Sequence, residues 1–144
     1  MKFEHELRID RPPADVFGFL SDLKNLPRWQ PSVKEISAEG EGELAVGSRF
    51  REVREFMGKK IESTLEVAAL DPAGEFSIRV VAGPIPFTVR HLLEPAGDGT
   101  RLQVRGEGEP GGFLKLGGGL VGRAVKRQSQ GDFGRLKALL EQGG

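Results

Sequence analysis

The chain has 144 residues, 21 Lys and Arg balanced by 21 Asp and Glu, and no cysteine. Cancelled charge argues against nucleic acid as the main partner, which demands a basic face. The missing cysteine excludes disulfides, thiolate metal sites and cysteine nucleophiles, and the length suits one domain, 1–144, with a sizeable core.

The first ten residues, MKFEHELRID, alternate instead of forming an apolar run. They read as a half-buried strand and not as a signal peptide. Phe3, His5, Leu7 and Ile9 share one face; Glu4, Glu6 and Arg8 share the other. No stretch is long and apolar enough to span a bilayer, so no integral membrane segment and a cytoplasmic location are expected. Pro12 and Pro13 then suit a helix start, and Val16, Phe17 and Leu20 recur at helical spacing. A second short helical turn is expected over about Asp22–Leu26, ending before Pro27. Trp29, the only tryptophan, follows between Pro27 and Pro31. Two roles are open to it: a plug at one end of the core, or a gate over a ligand cavity.

Six further strands are predicted at 32–39, 48–57, 60–70, 75–82, 85–94 and 100–109, with turn residues at each junction. A two-residue turn at Gly58–Lys59 would pair Phe56 with Ile61, Arg54 with Ser63, Glu52 with Leu65 and Phe50 with Val67. On the other face it would pair Arg51 with Glu66 and Val53 with Thr64. Turning at Gly83–Pro84 pairs Val80 with Phe87, Ile78 with Val89 and Phe76 with His91. Turning at Ala96–Gly99 pairs Leu93 with Leu102, His91 with Val104 and Glu94 with Arg101. Each register keeps apolar residues mostly on one face, which a slip of one residue would undo. A long helix over 113–141 would cover that face. The class is therefore α+β: a seven-stranded curved antiparallel sheet around a long C-terminal helix, with two short helices between strands 1 and 2.

This order resembles the helix-grip fold, shared by START-related lipid-transfer domains, the birch pollen allergen family and bacterial polyketide cyclase/dehydrase-like proteins. The stretches IDRPPADVFGFLSDLKNLPRWQPSV, VGSRFREVREFMGKKIESTLEV and DFGRLKALLE are similar to the bacterial branch. The resemblance covers nearly the whole chain. It implies a cavity between sheet and long helix for a hydrophobic small molecule, lipid-like or polyketide-like, and calls for no cofactor. Its members include cyclases, dehydratases and lipid carriers, so fold alone does not choose among them. Trp29 resembles the tryptophan that relatives place beside the helical pair at the cavity entrance.

By the pairing above, Phe56, Leu65, Phe76, Ile78, Phe87 and Val89 face inward, toward Leu120, Val121 and Ala124 of the long helix. The same face carries Glu52, Arg54, Ser63, His5 and His91. Buried charges are costly unless paired, so Glu52 and Arg54 either pair or face a wet cavity. Arg54 could orient a carboxylate or enolate by forked hydrogen bonding. His91, among Phe76 and Val104, is the best acid/base candidate, held neutral by desolvation; the alternative is a core histidine bonded to a neighbour. Three functions remain open. The first is a carrier of a hydrophobic ligand. The second is a cyclase or dehydratase using His91 and Arg54. The third is a protein-interaction module with a vestigial cavity.

No metal-ligand spacing occurs. The run at 117–122, GGGLVG, matches a dinucleotide-binding fingerprint only formally, because no strand precedes it. Its glycines weaken a helix; a late start, a kink, a lid or close packing against the sheet are the readings open there. Oligomeric state is not readable.

Overall fold

A computed structural model describes residues 2–108 and 112–143, with the side chains of 112–121 excepted. Strand β1 (Lys2–Ile9) leads into helix α1 (Pro13–Ser21), a single helical turn at Leu23–Asn25, and helix α2 (Leu26–Trp29). Six strands follow: β2 (Val33–Glu39), β3 (Arg49–Phe56), β4 (Lys59–Asp71), β5 (Glu75–Ala82), β6 (Phe87–Ala96) and β7 (Gly99–Gly108). Helix α3 (Gly112–Glu141) ends the chain. The sheet order is β1-β7-β6-β5-β4-β3-β2, antiparallel throughout. This is the curved antiparallel sheet with a long C-terminal helix expected from the strand pattern, in the element order that the resemblance to the helix-grip fold implies.

Pro27 does not end a helix. It sits in the first turn of α2, where a missing N–H costs nothing, and so places Trp29 on that helical turn. The Asp22 side chain caps the preceding turn by accepting from the Lys24 N–H at 3.2 Å.

The β3–β4 register differs from expectation by two residues. Met57 (φ 52°) and Gly58 (φ 78°) form the turn, both with the positive φ of a type I′ hairpin. Phe56 therefore faces Lys59, Arg54 faces Ile61, Glu52 faces Ser63 and Phe50 faces Leu65. An even shift keeps every side chain on its expected face. It does change the charge pairs outside: Arg51 meets Glu62 at 2.6 Å, and Glu66 is held by Arg49 at 3.0 Å and Arg79 at 2.6 Å. Val53 correspondingly faces Glu62 and Arg51 faces Thr64.

The other two hairpins keep the expected register. Ile78 faces Val89, Phe76 faces His91, His91 faces Val104, Leu93 faces Leu102 and Glu94 faces Arg101. The β5–β6 ladder stops at Arg79 and Thr88, short of the expected Val80–Phe87 pair. Register shifts at Val33/Glu35, Thr64/Leu65 and Val67/Ala69 bend the sheet.

The core lies between the concave face and α3, where Phe133, Leu136 and Leu140 meet Trp29, Phe76, Leu102 and Val104 in one cluster. Gly106 is needed there. It faces Phe3 across β1 and β7, and a Cβ at Gly106 would lie 2.1 Å from the Phe3 ring. That ring is stacked on Phe87 at 5.6 Å. Gly106→Ala is expected to lower unfolding stability by about 1–3 kcal/mol, the cost of an overpacked core, as read by urea denaturation. An unchanged midpoint would mean that Phe3 swings aside freely.

α3 begins at Gly112, so the glycine run does not delay it. The side chains of 117–121, and with them the choice between lid and close packing for the 117–122 run, lie outside the described ones.

Candidate ligand cavity

A cavity of about 190 Å³ lies between the concave face and α3. That is more than ten times the ~10–15 Å³ one water needs. Its walls come from the sheet, the helical pair and α3. Strands β3 and β4 supply Phe56, Ser63 and Leu65, and strands β5 and β6 supply Phe76, Ile78, Phe87, Val89 and His91. The helical pair supplies Trp29, and β3 adds Arg54. All ten were expected inward from alternation or turn position. Of the remaining candidates, Val104 is fully buried beside His91 but does not reach the cavity wall. Ala124 packs on Phe56 and Ile61 behind the wall. Leu120 and Val121 lie outside the described side chains.

The wall also holds residues that sequence patterning did not single out as ligand-contacting. Gln30 follows Trp29, and Gln128, Ser129 and Phe133 come from α3. Phe133 is the central one. Its ring stands 5.0 Å from Trp29, 5.8 Å from His91 and 5.9 Å from His5. Helical spacing back from Leu136 and Leu140 marks the same face of α3 and could have found it. Trp29 is only 2% exposed. It is a wall of the cavity pressed on Phe133, so the core plug and the cavity wall are one position.

His91 is buried and stacked on Phe76 at 5.7 Å. Its Nδ1 lies 2.8 Å from the Phe76 carbonyl, which can only accept, so Nδ1 carries the proton. Nε2 is left as an acceptor. Burial pushes the His91 pKa down to about 4, against the backbone hydrogen bond, which favours the charged form. His5 is also lowered, by burial and by the Lys126 charge, and its Nε2 is 2.9 Å from the Ser129 hydroxyl.

Glu52 and Arg54 do pair. Arg54 Nε donates to Glu52 Oε1 at 2.8 Å and Nη2 donates to Oε2 at 2.9 Å, a forked ion pair. Nη2 also donates to Gln30 Oε1 at 3.0 Å. Burial works against the guanidinium, but the Glu52 carboxylate, its hydrogen bonds and the Asp132 charge outweigh it, so the Arg54 pKa is raised. Asp132 is buried on α3 beside Arg135, at 2.9 Å; burial pushes its pKa up to about 6 despite the Arg135 and Arg54 charges. Among the described residues no three His, Asp or Glu come together as metal ligands, and no helix is long and apolar enough to cross a membrane.

The chain matches the profile of a family described as polyketide cyclase/dehydrase and lipid transport over residues 1–141. No curated protein matches it significantly. Among solved structures it is similar to TTHA0849 from Thermus thermophilus, at 21% identity and TM-score 0.84 with 100% of both chains covered. It is similar to the Zhui aromatase/cyclase of a Streptomyces species, at 16% identity and TM-score 0.78, covering 99% of this chain and 94% of that one. It is also similar to major latex-like protein 151 of Panax ginseng, at 14% identity and TM-score 0.75, covering 96% and 95%. These likenesses concern the fold. With the profile spanning almost the full length and a cavity held between sheet and long helix, the chain belongs to the polyketide cyclase/dehydrase and lipid transport family.

Proposed function

We propose that the whole chain, 1–144, is a START-like ligand-binding domain that holds a hydrophobic small molecule, lipid-like or polyketide-like, against Trp29, Phe76, Ile78, Phe87 and Val89. The observation that carries this reading is the open, mostly apolar cavity itself, since a packed interior leaves few voids larger than a water. The same opening weighs against a vestigial cavity kept only as scaffold for a protein partner.

The cyclase or dehydratase reading is weaker, although His91 and Arg54 do face one cavity. A general base works best with a pKa near the operating pH, and His91 is held at about 4. An oxyanion donor must be free to meet developing charge, whereas Arg54 spends its fork on Glu52. Binding asks neither thing of these groups.

The test is titration with phenylnaphthylamine, an uncharged probe that fluoresces in apolar surroundings. Micromolar or tighter binding is expected, with a shift in Trp29 emission, because the indole forms part of the wall. Ile78→Trp, which fills the cavity from β5, should abolish the signal while the protein stays folded by circular dichroism. Probe binding that survives Ile78→Trp unchanged would place the ligand elsewhere.

A further inference from the structure

Resting on that binding reading, we propose that Glu52 makes the cavity selective for neutral ligands. It does so by holding the Arg54 guanidinium in a closed ion pair, so that the accepted molecule is an uncharged amphiphile presenting a hydroxyl or carbonyl, not a carboxylate. Arginine in an apolar cavity is ordinarily a carboxylate receptor, because its fork matches the two oxygens. Here both fork positions are taken. Glu52 Oε1 and Oε2 receive Nε and Nη2, and the second Nη2 proton goes to Gln30.

An anionic ligand that took the guanidinium's fork would have to displace Glu52, whose side chain is 3% exposed, and strand that carboxylate without a partner, while one held through Nη1 alone would stand beside the Glu52 charge with no cation left to neutralise it. No second cation on the described wall neutralises an anion's charge. His91 is neutral at physiological pH and offers Nε2, an acceptor. Ser129 is engaged with His5, itself held toward the neutral form. Asp132 adds negative charge near Arg54. Among the described residues lining the cavity, Arg54 is the one cation, and it is matched by Glu52. A hydroxyl meets no such obstacle. Arg54 Nη1 makes none of these hydrogen bonds and can donate without opening the fork. His91 Nε2 can accept in return.

Naphthol and naphthoate share a ring system and differ in charge at neutral pH. Calorimetric titration of the intact protein should show naphthol binding about tenfold or more tightly than naphthoate, a gap of at least about 1.4 kcal/mol. In Glu52→Gln, which frees the guanidinium, the gap should close or reverse through a gain in naphthoate affinity. The double variant Glu52→Gln/Arg54→Met, which carries neither charge, should keep the preference for naphthol and serves if the single variant folds poorly. Equal affinities in the native protein, or a gap that Glu52→Gln leaves untouched, would overturn the role of Glu52 while phenylnaphthylamine binding still stood. Failure of all three compounds to bind would remove the cavity reading and this inference together.

Discussion

Arg54→Met is expected to cost about 3–5 kcal/mol of unfolding stability, the range for a buried ion pair that loses one partner. The cost does not come from the guanidinium, whose side chain is 29% exposed. It comes from Glu52, 3% exposed, whose two oxygens take their hydrogen bonds from Arg54. Without Arg54 the carboxylate is left desolvated and unpaired. The reverse change should be milder, because a lone Arg54 keeps Gln30 and its own exposure. The double variant Glu52→Gln/Arg54→Met should recover most of the loss, since a neutral pair of similar volume replaces a buried ionic one. Urea denaturation of the wild type, both single variants and the double variant closes the cycle. A loss below about 1 kcal/mol in Arg54→Met would mean that cavity water solvates Glu52 as well as Arg54 does.

The second large effect is a pH dependence in which two buried groups oppose each other. His91 has its pKa lowered from 6.5 to about 4, so the unfolded chain takes up a proton that the folded chain refuses. Its contribution is present above pH 6.5 and is lost as pH falls toward about 4, a change of about 3 kcal/mol at 1.36 kcal/mol per unit. Asp132 is raised from 3.8 to about 6, so its contribution is present below pH 3.8 and is lost as pH rises through about 6. Between roughly pH 4 and 6 the two nearly cancel. In His91→Gln only the Asp132 term remains. That variant should gain about 3 kcal/mol on the wild type between neutral pH and pH 4. Exposed carboxylates such as Glu6, Glu62 and Glu66, each lowered by a facing arginine, act equally in both proteins and drop out of the difference. Denaturation curves of the two proteins that shift in parallel across this range would show that His91 protonates freely in the fold.

Phe3–Ile9 shows what local pattern alone can determine. A strand has period two, so Phe3, His5, Leu7 and Ile9 must share a face whatever lies above it. The same rule put Phe76, Ile78, Val89 and His91 on the concave side before any packing was known. The tight turn between Ala96 and Gly99 then sets the β6–β7 register through its loop length, and the β5–β6 pairs keep the register expected from Gly83–Pro84 although their ladder stops at Arg79 and Thr88. The β3–β4 hairpin escaped because an even slip preserves the faces. The turn that distinguishes the registers puts Met57 at a positive φ, which its side chain does not advertise. Pro27 was ambiguous for a similar reason, since a proline both ends one helix and begins the next.

What the tertiary structure alone decided is which polar groups on the inward face are already satisfied. The alternation placed Glu52 and Arg54 side by side and left open whether they paired or faced a wet cavity. Only the folded chain brings Gln30 to Arg54 from 24 positions away and Ser129 to His5 from 124. It also sets Phe133 among Trp29, His5 and His91. The physical reason is range. Backbone period and turn chemistry act over a few residues. The partner of a buried charge, and the void left between sheet and helix, depend on where distant segments come to rest.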